Sequence, residues 1–172
     1  MSRRPLSLYL AAAVVPLIIL LSLPLRPAVV SALGDDVLLP VTLQDTRDLL
    51  LGDNVALTFA AASVPVDLFD GEPSPGEIWQ VELKKGDDGL WTPSAARKSG
   101  AKSPYLTGTV LRGQWREAGS PVKLNLGVGM KRFYVKEGSG ASLEEAAKSG
   151  TLCARVSIWR GVCVITGLEP AP

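Results

Sequence analysis

Three serines and three lysines are the first residues whose types could do chemistry. Ser63, Ser99 and Ser103, with Lys98, Lys102 and Lys123, offer a hydroxyl nucleophile and an amine base. That pairing works only if the lysine is stripped of water, so that its pKa falls and it can take the hydroxyl proton. The stretch KSGAKS, residues 98–103, is glycine-flanked and polar, which predicts solvated lysines in a flexible loop. Paired carboxylates come next: Asp35-Asp36 and Asp87-Asp88 are adjacent in sequence. Acid–base work needs two carboxylates facing each other across a cleft in different environments, and neither pair requires one. Asp67, Asp70 and Glu72 in DLFDGE are oxygen donors of the kind calcium takes, without the full spacing of an EF-hand loop; a solvated loop is the stronger reading. KEGSG, residues 136–140, lacks the lysine and Ser/Thr of a phosphate loop.

What is missing narrows the field further. There is no histidine, the commonest general base and metal ligand. Two cysteines, Cys153 and Cys163, are too few for a disulfide framework or a thiolate zinc site. Cys153 falls on the polar side of its strand, where a reactive thiol would sit, but no imidazole is present to activate it. No catalytic set, cofactor site or metal site is therefore assigned. Trp79, Trp91, Trp115 and Trp159 read as strand residues of a core, with Trp91 and Trp115 beside Arg112 and Arg116 as the alternative of a binding patch.

Charge excludes another class. With residues 1–32 set aside, which hold Arg3, Arg4 and Arg26 and no acid, the other 140 of the 172 residues carry 15 basic and 17 acidic side chains. A net of −2 offers no basic face for nucleic acid and no polybasic patch for lipid.

The three arginines flank the most distinctive segment. Leu6 to Leu25 is a run of 20 uncharged residues, with Pro16 and Pro24 inside it. About 20 apolar residues are what a helix needs to cross the hydrocarbon core, whereas a cleaved secretory signal has an apolar region of about 7–15. The length predicts a retained anchor through residues 6–25, with Arg3 and Arg4 held in the cytoplasm and the rest of the chain outside it. A cleaved signal ending near Ala32, in VVSALG, is the alternative. The expected division is 1–32, a cytoplasmic tip, transmembrane anchor and juxtamembrane linker, and 33–172, an extracytoplasmic β-rich domain.

The elements of that domain read as short strands separated by 13 prolines and 17 glycines across the chain. DVLLPVTL is extended, with Pro40 suggesting an edge position. In NVALTFA, Val55, Leu57 and Phe59 share one face. IWQVELKKGDDGLW is a hairpin with Trp79, Val81 and Leu83 inward and its turn at Gly86–Gly89. LTGTVLRGQW, VKLNLGV and RFYVKEG are further strands. SLEEAAKSG predicts one short helix, with Ser142 and Glu145 as a capping box and Gly150 beyond its C-terminus. LCARVSIWRGVCVITGL is a hairpin turning at Arg160-Gly161, with Leu152, Ala154, Val156 and Ile158 inward. That turn sets Cys163 opposite Ile158 and Cys153 opposite Leu168. The sulfurs are then about 16 Å apart at about 3.3 Å per residue, which predicts two free thiols.

With these elements placed, RDLLLGDNVALTF, residues 47–59, resembles the motif that names the GDYXXLXY proteins, a family of membrane-anchored bacterial proteins. Gly52, Asp53 and Leu57 match; Asn54 and Phe59 stand where the motif has tyrosines. DTRDLL leads into it, and the stretch from GMKRFYVKEG to the final hairpin is similar to the family's C-terminal part. The family's function is unassigned. Its members are often encoded beside polytopic membrane proteins, so the resemblance implies a membrane partner. Read physically, Gly52 supplies backbone freedom at the start of a strand, Asp53 caps neighbouring amides and Arg47 pairs with Asp48. The functional alternative is that Arg47, Asp48, Gly52, Asp53, Asn54, Leu57 and Phe59 form a contact surface for a partner.

The expected fold is mainly β, an antiparallel barrel or sandwich with one short helix, preceded by a single transmembrane helix. The expected function is a periplasmic binding or accessory module, single-pass in the bacterial inner membrane, acting with a polytopic membrane protein. A signal-peptidase-like Ser/Lys hydrolase is the alternative.

Overall fold

A computed structural model of the chain describes residues 6–43, 55–111, 120–127, 130, 132–133, 146 and 149–172. Two helices come first, α1 over Leu6–Ser22 and α2 over Leu25–Leu33. Pro16 lies inside α1, while Pro24 marks the break before α2. Pro24 and Pro27 fall at the start of α2, where amides have no partner within the helix and a missing N–H costs little. Ala28 N–H donates to Pro24 O (3.2 Å), the first bond of α2. The stretch Ala12–Leu33 is long and apolar enough to cross a membrane by length and composition.

Among the described residues ten strands follow, every strand pair antiparallel. They are β1 (Asp35–Leu43), β2 (Val55–Phe59), β3 (Ser63–Val64), β4 (Ile78–Lys85), β5 (Trp91–Arg97), β6 (Tyr105–Val110), β7 (Val122–Asn125), β8 (Arg132–Phe133), β9 (Leu152–Trp159) and β10 (Val162–Pro170). One sheet has the order β10-β9-β1-β2-β8 and the other β3-β7-β6-β4-β5. Both feed one core, from Val37, Leu39 and Val41 of β1 to Trp79 and Val81 of β4 and Val156 and Ile158 of β9. The alternation read from the sequence is present: Leu57 and Phe59 are buried with Thr58 exposed, and Trp79, Val81 and Leu83 are buried along β4. The mainly β, antiparallel fold with an apolar N-terminal helix is the one expected.

The final hairpin turns at Arg160-Gly161, and Cys163 faces Ile158 as expected. A bulge between Ile165 and Gly167 then moves the register by one, so Cys153 faces Glu169, not Leu168. The extra residue also reverses the alternation, bringing Leu168 inward opposite Ala154. Both cysteines are free.

Three further expectations need correction. Pro40 is not on an edge strand: β1 lies between β9 and β2. Pro40 is the last residue in register with β9, and Val41 the first in register with β2, so the missing amide falls at a change of partner. Cys153 does not lie on an exposed polar face; it is 1% exposed, because β9 is buried on both sides over much of its length. The loop after β5 is not a free one. Glu82 Oε1 accepts from Lys102 N–H (2.9 Å), Gln80 Oε1 from Ala101 N–H (3.1 Å), and Pro104 O from Leu83 N–H (3.0 Å).

Of the expected helix at 142–150, Ser142 and Glu145 lie outside the described residues. Ala146 is helical and buried, Gly150 has φ +71°, and Thr151 N–H donates to Ala146 O (2.9 Å). That bond and the left-handed glycine are the C-terminal closure the sequence suggested.

Candidate functional site

Polar and apolar groups converge at the root of the β domain, where the N-terminal helices meet it. Four parts of the chain arrive there: the α1–α2 break, the start of β1, the β5–β6 loop and the tip of the β9–β10 hairpin.

Gly34 makes the first junction. A Cβ at Gly34 would lie 2.5 Å from Val30 O and 3.0 Å from the backbone N and O of Ile158, so only glycine lets the chain leave α2 and run beside β9. The next two residues are the acidic pair. Asp35 Oδ2 accepts from Ser103 Oγ (2.8 Å), fastening the β5–β6 loop. Asp36 Oδ1 accepts from Ser157 Oγ, and Ser157 is a buried polar residue, 1% exposed, on β9. The two carboxylates therefore serve as separate ties to the two sheets. They do not face each other across a cleft.

Beside these ties α2 packs on β9 and β10 through Val30, the one described residue of α2 that is buried. An open cavity of about 570 Å³ lies at this contact, lined by Ser22, Leu25, Val29, Val30, Trp159, Arg160 and Val162. The lining is apolar apart from Ser22 and Arg160. The Arg160 guanidinium stacks over the Trp159 ring, 4.8 Å from its centroid. Arg160 has φ +50° and Gly161 φ +76°, the two left-handed residues of a type I′ turn. Gly161 is buried against Tyr105 and Thr107 of β6, which seats the tip on the second sheet.

The other candidates separate. Ser103 is bonded to Asp35. Lys98 Nζ lies 2.8 Å from Glu77 Oε1 and 5.4 Å from the Trp79 ring centre, and is largely exposed. Ser63 stands opposite Lys123 between β3 and β7, but Lys123 is exposed, as is Lys102. No described lysine is buried, so none of these pairs has the desolvated amine that Ser/Lys chemistry needs. Asp70 is exposed and lies 3.8 Å from Arg97, and no three acidic or thiol groups converge on a metal position among the described residues. Burial pushes the Cys163 thiol up to about 11 and raises that of Cys153, so both stay protonated at neutral pH. Trp91 is half-buried against the core, while Arg112, Trp115, Arg116 and residues 136–140 lie outside the described residues.

Residues 16–168 match the family described as GDYXXLXY protein. The chain belongs to that family. No curated protein and no solved structure matches the chain. The GDYXXLXY motif falls on residues 52–59, three positions before β2 and five within it. Arg47, Asp48, Gly52, Asp53 and Asn54 lie outside the described residues. Leu57 and Phe59 are 8% and 3% exposed, opposite Leu43 and Val41 of β1. The second half of the motif is thus a core strand, and its leucine and aromatic hold that strand without offering a surface. A phenylalanine at the last position of the GDYXXLXY motif suits this burial, since it has no hydroxyl to satisfy.

The sequence reading missed the root. Asp36 and Ser157 are 121 residues apart, and nothing local joins them. Trp159 and Arg160 did carry a signal: a type I′ turn favours Asn-Gly, and an arginine in its first place is out of pattern.

Proposed function

We propose that this chain is an extracytoplasmic accessory module, held in the bacterial inner membrane by its N-terminal helix and acting with an integral membrane protein. The observation that carries the anchor is the state of that helix. Val14, Val15, Leu17, Ile18, Ile19, Leu20, Leu21, Leu23 and Leu25 are each between 41% and 66% exposed. A helix that is apolar all round and left exposed along its length takes lipid as its solvent. Arg3 and Arg4 before it, with no acidic residue in the first 32, favour the cytoplasm for the N-terminus. The integral partner is favoured by the family's setting beside polytopic proteins.

The test uses the full chain with a C-terminal tag, expressed in bacteria. Protease added to spheroplasts should remove the tag, and intact inner membranes should retain the protein through an alkaline wash. Mild detergent extracts of wild type and Asp53→Ala are then compared. A polytopic protein recovered with both supports the accessory role with Asp53 structural; one lost only from a folded Asp53→Ala assigns the contact to that corner. A soluble chain beginning after Ala32 overturns the anchor, and an anchored chain with no membrane protein bound overturns the partner.

A further inference from the structure

The cavity at the root joins two surfaces of different chemistry. One wall is Ser22, Leu25, Val29 and Val30 of the N-terminal helices, and the other is Trp159, Arg160 and Val162 at the β9–β10 tip. Leu25 is 59% exposed and Val162 39%, so apolar surface lies on both walls of the cavity. Where the helix touches the β domain it is no longer wrapped by lipid. On the anchored reading the hydrocarbon ends near the α1–α2 break: the 20 residues from Leu6 to Leu25 are about 30 Å long as a helix, one hydrocarbon thickness. The hairpin tip then stands at headgroup depth.

The residues at the tip suit that depth. A tryptophan belongs at the boundary between tails and water, and an arginine binds a phosphodiester through its planar fork of N–H donors. The backbone adds an independent sign. Arg160 occupies a left-handed position, φ +50°, that asparagine or glycine fills with less strain. The turn itself has no use for the guanidinium, and the side chain is turned toward the cavity and stacked on Trp159.

We infer that the cavity is a seat for an anionic phospholipid, with the phosphate on Arg160, the glycerol region beside Trp159 and an acyl chain along Leu25, Val29 and Val162. This rests on the anchored reading of the N-terminal helix, and makes the β domain stand on the membrane surface through its hairpin tip.

The experiment reconstitutes the full-length protein into vesicles of phosphatidylcholine alone, or with phosphatidylglycerol, one lipid at a time brominated near the headgroup end of its chains. Flotation after an alkaline wash is scored first. The quenching of Trp159 is read as the difference between wild type and Trp159→Phe. Brominated phosphatidylglycerol should quench that component more than its molar share predicts, by about five-fold in apparent affinity over phosphatidylcholine, the scale of one basic residue near an anionic surface. Arg160→Lys should keep the preference. Arg160→Asn, which fits the turn, should abolish it while the protein still floats. If the protein does not float, the anchor reading fails and this one with it. A floating protein whose Trp159 no brominated lipid quenches overturns the lipid seat alone. So does equal quenching by both lipids, or a preference that survives in Arg160→Asn.

Discussion

Two tight hairpins lie among the described residues, and their tips are built on opposite principles. The β4–β5 tip, Gly86 to Gly89, uses residues that make turns cheaply. Gly86 N–H donates to Leu90 O (2.8 Å), Asp88 Oδ1 accepts from Leu90 N–H (3.0 Å), and Gly89 takes φ +80°. Its two aspartates stand in solvent. The β9–β10 tip places an arginine in a left-handed position and packs its glycine under the opposite sheet. The first tip closes a hairpin. The second closes a hairpin and carries side chains to the helix root, and its backbone accepts strain to do so.

The largest effect that separates them is at the two glycines. Gly161→Ala adds a Cβ at φ +76° and drives it into Tyr105 and Thr107. Left-handed strain of roughly 1–2 kcal/mol adds to overpacking of roughly 1–3 kcal/mol, so a loss of about 3 kcal/mol is expected. Gly89→Ala meets only Pro172, at 3.6 Å, and carries the strain alone, about 1 kcal/mol. Denaturant unfolding of the detergent-solubilised chain, followed by tryptophan fluorescence, measures both. Equal losses would mean that the β9–β10 tip is no more tightly seated than the other.

The same contrast explains what the sequence made legible. Periodicity and turn chemistry are local, so Trp79, Val81 and Leu83 could be placed inward, the turn put at Arg160-Gly161, and Cys163 set against Ile158. The register failed one bulge later, because an extra residue near Thr166 leaves no sequence mark except the neighbouring Gly167. The burial of Cys153 and Ser157 was not legible either. Alternation assigns them to a solvent face, and only the tertiary fold shows that this side of β9 is covered. At the candidate site, the Asp36–Ser157 tie and the meeting of Trp159 with α2 depend on contacts more than 120 residues apart. The motif from Gly52 to Phe59 was visible as a motif, and Leu57 and Phe59 show that half of its meaning is packing.

A smaller effect, of opposite sign, tests the arginine. Arg160→Asn relieves roughly 1 kcal/mol of left-handed strain and gives up a cation–π contact worth about 0.5 kcal/mol at an exposed site. A net gain of about 0.5 kcal/mol is expected in the same unfolding measurement, alongside the loss of lipid preference. A stabilised protein with impaired membrane contact is the signature of a residue kept for what its side chain touches. If Arg160→Asn is destabilised, the arginine belongs to the turn after all, and the contrast between the tips weakens.

The smallest effect lies on the β4 side and concerns acid. The Lys102 amide, more than the Arg97 guanidinium beside it, holds the Glu82 carboxyl below its ordinary 4.5. A carboxylate whose folded pKa is depressed contributes stability above its unfolded pKa and loses it as pH falls through the folded value. Protonation of Glu82 therefore releases the loop after β5 only below the ordinary carboxyl range. Amide exchange, corrected for the intrinsic rate at each pH, should show Lys102 losing protection there. Ala101 is held by the neutral Gln80 side chain and should lose less. Glu82→Gln should leave Lys102 weakly protected at every pH, with the acid step gone. At the other hairpin the Arg160–Trp159 stack contains no carboxylate, so Trp159 fluorescence should not follow the same step. If it does, the acid response belongs to the whole fold, and the tie from β4 to its loop is not an independent unit.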